Sequence, residues 1–262
     1  MKNIAIIVID ALRARNLSLF GYQKETDKNL KEIAKESLVF RNFFSVTNST
    51  FPTITSLFSG KYPPSHGIMH QAPYASPEEY GRFLSIEQPK FWLPRYLKEK
   101  GYHTIGIDWI GLWFKEGFDY YGDEGRIKFK HPKLKAIMRK ILFRLPSAIY
   151  KIGKKIKKTK LFASSKESVN LAIEKIMESK ELKKPFFLFM HLEDPHFPFP
   201  NIKNPKPSGK EDIDKLLKKI KSPSQRDYMR KRIVDISLKS VQDIKNKYDL
   251  AIKTVDKEIG RL

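Results

Sequence analysis

Three stretches of the chain carry side chains whose type and spacing can do chemistry. The first runs from Asn48 to Gly67 and reads N-S-T-F-P-T-I-T-S-L-F-S-G-K-Y-P-P-S-H-G. Thr50 stands two residues before Pro52, and the following run, 53–58, suits a short helix stopped by Gly60 and a Pro-Pro turn. A hydroxyl at such a helix start faces unpaired backbone N–H groups and the positive end of the helix dipole, a place suited to a tetrahedral anion. An ordinary N-cap threonine before a surface helix reads the same way. The second is Asp10, directly after the apolar run Ile4-Ala5-Ile6-Ile7-Val8-Ile9. A carboxylate there can hold a hard cation or orient a base, and it can equally close an Asx turn or cap a helix. The third is Glu193-Asp194-Pro195-His196-Phe197-Pro198-Phe199, which follows another apolar run, 185–192.

The elements that must position these residues are legible from pattern. Residues 4–9 form a continuous β-branched run, expected as a strand buried on both faces of a parallel sheet. In open α/β sheets ligands gather at the C-terminal ends of strands, where Asp10 and His196 would both stand. Residues 26–37 predict a helix with Leu30, Ile33 and Ala34 on one face and Thr26 or Asp27 as cap. Residues 38–40, leading into Phe43-Phe44, predict a short strand feeding the Thr50 loop. A helix over 91–100 ended by Gly101, a strand over 103–108, a helix over 168–179 and a strand over 185–192 follow. Residues 109–125, rich in glycine and aromatics, read as a loop covering a cleft, 201–207 as a Pro-rich surface loop, and 209–262 as helical with a break at Ser222-Pro223. The alternation predicts a doubly wound α/β sheet.

Composition narrows the function classes. The chain has 262 residues, enough for one large domain or two small ones. It has no cysteine, which removes disulfides, thiolate metal sites and a Cys nucleophile. A formal charge of +22 invites an anionic partner, with much of the excess in 126–160 and 203–247. Zinc-finger spacing, basic-zipper heptads and RNP-type aromatics are absent, so nucleic acid is not the expected partner. Residues 131–160 set Ile137, Ile141, Leu142, Leu145, Ile149, Ile152 and Ile156 near helical spacing among lysines, broken at Pro146. Such a basic amphipathic segment can lie on an anionic membrane surface or pack as a lid. No apolar run reaches 18 residues, and Ile4–Ile9 is too short for a signal-peptide core and ends in Asp10. A cytoplasmic location is the default expectation.

In order along the chain, these pieces resemble the sulfatase branch of the alkaline phosphatase superfamily. I-A-I-I-V-I-D-A-L-R-A-R-N-L with Gly21-Tyr22 looks like the family's first strand and metal-ligand Asp. T-F-P-T-I-T-S-L-F-S-G-K-Y-P-P-S-H-G resembles its nucleophile loop, and L-P-R-Y-L-K-E-K-G-Y-H-T-I-G the next helix–strand unit. P-F-F-L-F-M-H-L-E-D-P-H-F-P-F resembles its later strand and substrate-binding His, and Y-D-L-A-I-K-T-V-D-K-E-I-G-R-L the helix before its second metal motif. The resemblance implies one three-layer α/β/α domain over 1–262 with a mostly parallel sheet, a basic helical insertion at 126–165 and a basic helical segment at 203–247.

It also implies chemistry. Counting back from Gly60 puts Thr50 at the nucleophile position, and Ile54 where the arginine of a Cys-X-Pro-X-Arg pattern belongs. A threonine does not become formylglycine, so the sequence points to the family's Thr-nucleophile phosphodiesterases and phosphotransferases. Asp10 and Thr50 are the implied ligands of a divalent cation (calcium, zinc, manganese or magnesium), with Thr50 as attacking group. His196 would bind a non-bridging oxygen or assist the leaving group, and Asn48 would offer a substrate amide contact. Arg13 would support Asp10, His66 would brace the loop after the nucleophile helix, Asp194 would orient its turn, and His191 reads as a core histidine. The substrate implied is an anionic phosphate or sulfate ester, with no oligomeric state implied, and relatives that act outside the cell leave an extracytoplasmic location open. The family's distal Asp-His pair, in an S-D-H-G-E-like stretch, lacks a counterpart before Leu262, which raises the expectation of a fragment, a split gene or an inactive protein. The competing class is a non-catalytic basic module for acidic polymers or anionic membrane surfaces.

Overall fold

A computed structural model describes residues 1–70, 91–108, 110–122, 163–197, 199, 201–204, 213–235 and 240–262. Most of the basic insertion expected at 126–165 therefore lies outside the described residues, as does much of the loop at 201–207. The strands are β1 (Ile4–Ile9), β2 (His103–Ile107), β3 (Tyr120–Gly122) and β4 (Phe186–Leu192), in the order β1-β4-β2-β3. β2 pairs in parallel with β4, His103 opposite Phe186, and with β3, Ile105 opposite Tyr120. The chain has an α/β fold with a parallel sheet. It divides into two compact units, one of Met1–Val8, Phe40–Ala163 and Asn170–His191, the other of Ile9–Val39, Ser164–Val169 and Leu192–Leu262.

The first unit is built on β4. Phe187, Leu188, Phe189 and Met190 are all fully buried, as expected of a central parallel strand. β1 differs from its expected burial on both faces: it is an edge strand in this order, and its residues are at most partly buried. Helix α2 (Thr50–Ser59) turns Phe51, Ile54 and Phe58 onto the core at spacings of three and four, with Phe58 edge-on to Phe189 at 4.7 Å and to Trp92 at 5.2 Å. Pro52 sits in its first turn, where no intrahelical partner for an N–H is needed. Gly60 ends the helix at φ 68°, in the left-handed region that glycine enters without steric cost. The short helix α3 (Pro63–His66), then α4 (Leu93–Glu99) and α5 (Ser165–Glu181), follow along the chain.

Two stretches between residues 38 and 122 form other elements than expected. Residues 38–48 form no strand, and Leu38, Phe40, Phe43 and Phe44 are 70–88% exposed. A strand forms where a neighbour takes its N–H and C=O groups, and none is seen to do so among the described residues. The 109–125 segment, expected as a loop, instead supplies a 3-10 turn (Leu112–Lys115) and β3. Phe114 from that turn is fully buried.

The second unit is organised on the long helix near its end. Helices α1 (Lys28–Ala34), α6 (Ile213–Lys218), α7 (Pro223–Asp235) and α8 (Val241–Ile259) belong to it, α7 starting where Ser222-Pro223 predicted a break. Ser240 and Asp243 close a reciprocal capping box on α8. Down one face, Asp249 accepts from Asn16, Tyr22 and Lys24, and Asp256 accepts from the backbone of Asn29 and Leu30. Asp256 thus does the capping of α1 that Thr26 or Asp27 was expected to do. Replacing Asp256 with alanine removes three acceptor contacts, and a loss of about 1–3 kcal/mol is expected in urea unfolding.

Asp27 is occupied elsewhere. Its fully buried carboxylate takes the backbone N–H groups of Ser18 and Leu19 and the Ser18 hydroxyl. Burial pushes its pKa up, but these hydrogen bonds to the ionised form outweigh it and hold the group below its usual value. With the folded pKa depressed, this stabilisation is complete above the unfolded carboxyl value and is lost as pH falls through the folded one. Asp27→Asn should therefore flatten the acid limb of stability against pH, between the ordinary aspartate value and more acidic pH, measured by urea midpoints from pH 6 down.

Candidate active site

The strand ends carry the site chemistry. In the first unit, β2 runs into Asp108 and β4 carries His191, both with fully buried side chains and with His191 Nδ1 2.9 Å from Asp108 Oδ1. The phenol of Tyr121, next to β2 on β3, donates to the other Asp108 oxygen. Gly106 makes room for that ring, since a Cβ there would lie 2.5 Å from Tyr121 Cδ2. A carboxylate receiving Nδ1–H fixes an imidazole in the tautomer whose Nε2 carries the lone pair.

Beyond β1, the Asp10 backbone N–H donates to the Leu192 carbonyl at 2.8 Å, which aligns the two strand ends. Asp10 and Glu193, both of the second unit, each offer a ligand atom, and these lie within 4.8 Å of one another. Asp10 is partly buried, while His191 and Glu193 are buried. His191, read from sequence as a core histidine, is a hydrogen-bonded core group of the first unit. Glu193 and Asp108 were not singled out in the sequence. The available signal for Asp108 was its place after H-T-I-G-I, the same strand-end position as Asp10.

Thr50 occupies the first position of α2 in the first unit, half-buried, behind the extended N-cap residue Ser49. Asn48 beside it is exposed. His66 sits behind the helix, its Nδ1 taking the Ile68 N–H at 3.1 Å and its Nε2 2.9 Å from the Ser56 hydroxyl. Burial lowers its pKa, which agrees with a neutral ring carrying its proton on Nε2.

In the second unit, the segment after β4 is tightly tied. Asp194 is fully buried and accepts from the Ser165 N–H at 2.9 Å and the Asn201 amide at 2.8 Å. His196 is exposed, with its N–H on the Glu193 carbonyl and its Nδ1–H donating to the Phe197 carbonyl at 2.7 Å. Phe199 follows at φ 60°, beneath Lys247 of α8. The Lys247 ammonium is buried, donates to the Asn204 side-chain amide oxygen at 2.9 Å, and is pushed down in pKa by burial. Arg13 is exposed, and its backbone N–H donates to the Tyr248 hydroxyl at 2.9 Å.

Against known proteins, the sulfatase family model matches residues 2–262. The chain belongs to the sulfatase family. Iduronate 2-sulfatase of Homo sapiens is 25% identical over 208 residues, which cover 75% of this chain and 36% of that protein. The lipoteichoic acid synthase LtaP from Listeria monocytogenes superposes with a TM-score of 0.53 at 17% identity, over 99% of this chain and 50% of that one. A protein of the alkaline phosphatase superfamily from Vibrio parahaemolyticus gives 0.53 at 18% identity, over 99% and 49%. This sulfatase-family chain thus spans about a third of the human relative and half of the solved ones. No helix among the described residues is long and apolar enough to cross a membrane.

Proposed function

We propose that the chain carries the nucleophile side of a divalent-metal-dependent enzyme that hydrolyses or transfers phosphate or sulfate esters through a covalent intermediate on Thr50. The observation that carries this reading is a threonine at the first position of α2, in a sulfatase-family chain. The neighbouring carboxylates of Asp10 and Glu193 support the metal, and His191 would add an imidazole. Two carboxylates and one imidazole suit manganese or zinc better than calcium, which takes about six to eight oxygens. Asp10 would hold the cation together with the Thr50 oxygen, with Glu193 and His191 as further ligand-type groups. A bound cation would supply a lowered hydroxyl pKa and charge relief on the ester oxygens.

The Thr50 Oγ1 attacks the phosphorus or sulfur in line, losing its proton to solvent as its bond to that atom forms and the bond to the leaving oxygen breaks. As imidazolium, with Nδ1–H held by the Phe197 carbonyl, His196 donates from Nε2 a hydrogen bond to a non-bridging oxygen or a proton to the leaving alkoxide. Asn48 offers its amide to the substrate. Arg13, His66 and Asp194 hold the backbone around these groups. Water then attacks the covalent ester, restoring the Thr50 hydroxyl and releasing phosphate or sulfate. An acceptor hydroxyl in place of water gives transfer.

The test incubates the full chain with manganese, zinc, magnesium or calcium and 4-nitrophenyl phosphodiesters, monoesters and sulfate. Metal-dependent turnover that survives neutralising the lysines within 151–160 is the expected result. Absent turnover with salt-sensitive retention on a polyanion overturns it in favour of a basic binding module.

A further inference from the structure

Directly after Asp10 the backbone enters a conformation that its residue disfavours. Ala11 sits at φ 55°, in the left-handed region where a Cβ crowds the following carbonyl. An alanine stays there only when its surroundings hold it. The hold is visible on α8. The Tyr248 hydroxyl donates to the Ala11 carbonyl at 2.7 Å and accepts the Arg13 N–H at 2.9 Å, so one oxygen clamps the turn from both sides. The ring itself is 9% exposed and packs with Leu17, Phe199, Ala251 and Ile252, which fixes where that oxygen can be. On the other side, the Asp10 N–H is fixed to the Leu192 carbonyl, one residue before Glu193. The direction in which the Asp10 side chain leaves the strand is therefore set between a strand-end bond and the Tyr248 clamp.

We propose that Tyr248 is a positioning residue for Asp10: its hydroxyl keeps Ala11 left-handed, and this aims the Asp10 carboxylate for a divalent cation. The inference rests on the metal role proposed for Asp10. A plain anchoring role for the hydroxyl is the competing account, and the same unit supplies its control. Tyr22 also ties the N-terminal segment to α8, through Asp249 at 2.9 Å, without touching the Asp10 turn.

The experiment uses the full chain and its Tyr248→Phe, Tyr22→Phe, Asp10→Asn and Tyr248→Phe/Ala11→Gly variants. Amide hydrogen exchange at Arg13 is read by NMR, and manganese binding by calorimetry. Tyr248→Phe should speed Arg13 exchange and weaken manganese binding about tenfold, in the range typical of groups that orient metal ligands. Tyr22→Phe should change neither, whatever it does to the melting temperature. Glycine at position 11 should recover at least about threefold of the lost affinity, because it takes the left-handed turn without being held there. Manganese binding that Asp10→Asn abolishes but Tyr248→Phe leaves intact overturns the proposal, as does equal weakening by Tyr22→Phe. If the unaltered chain binds no manganese, the metal reading of Asp10 fails and this use of the clamp fails with it, while Arg13 exchange still reports whether the clamp itself exists.

Discussion

Replacing Thr50 with alanine is expected to lower metal-dependent turnover of the best nitrophenyl ester by at least about a thousandfold, with the melting temperature nearly unchanged. The size follows from the role: removing an attacking oxygen takes away an interaction made only on the way to the transition state, so kcat falls and KM moves little. The small stability effect follows from position. Thr50 is half-buried at the first turn of α2, whose hold on the core comes from Phe51, Ile54 and Phe58. Thr50→Ser is the informative companion, since it keeps the oxygen and should keep most of the rate. A Thr50→Ala protein as active as the original in single-turnover assays rules out the covalent route. Trapping the phosphorylated or sulfated chain at low pH, and locating the group by mass spectrometry, tests the same step without kinetics.

Asp108→Ala should be among the most destabilising single changes in the first unit, costing about 3–5 kcal/mol in urea unfolding. Both carboxylate oxygens are engaged, by His191 and by Tyr121, and the side chains of Asp108 and His191 are fully buried. Removing the acceptor strands two donors inside the protein, which costs more than the bonds themselves contributed. A loss near that of an ordinary surface substitution, about 0.5 kcal/mol, contradicts the geometry. Asp108→Asn separates roles: it preserves shape while ending the carboxylate's hold on the Nδ1 proton, so it should cost less stability and still weaken manganese binding.

Much of this was legible in the sequence because the signals are local. The buried strand before His196 announces itself by an unbroken apolar run, and the helix after Thr50 by apolar spacing closed with Gly60. Burial of β1 could not be read so simply, since a β-branched run looks the same at a sheet edge as in its centre. β3 was hidden because three residues among aromatics carry no period. The strand expected at 38–44 shows the opposite failure: propensity with no partner strand among the described residues yields no strand. At the site, residue type and strand-end position pointed to Asp10, but the Asp108–His191 pairing depends on which strands become neighbours. Periodicity does not encode that. Tyr248 was invisible for the same reason, because its work is done on residues more than two hundred positions away.

That separation has a consequence for biogenesis. The turn after Asp10 is clamped by a hydroxyl from position 248, and the neighbouring segment is tied down by Asp249 and Asp256. During synthesis the first strand and its following turn leave the ribosome long before the helix that gives them their final shape. At roughly 5–20 residues per second the delay is on the order of ten to fifty seconds, far longer than helix or hairpin formation takes. Until then this early segment can be guarded only by chaperones or by its own solubility, and the aspartate it carries acquires its settled direction only after residue 248 has emerged.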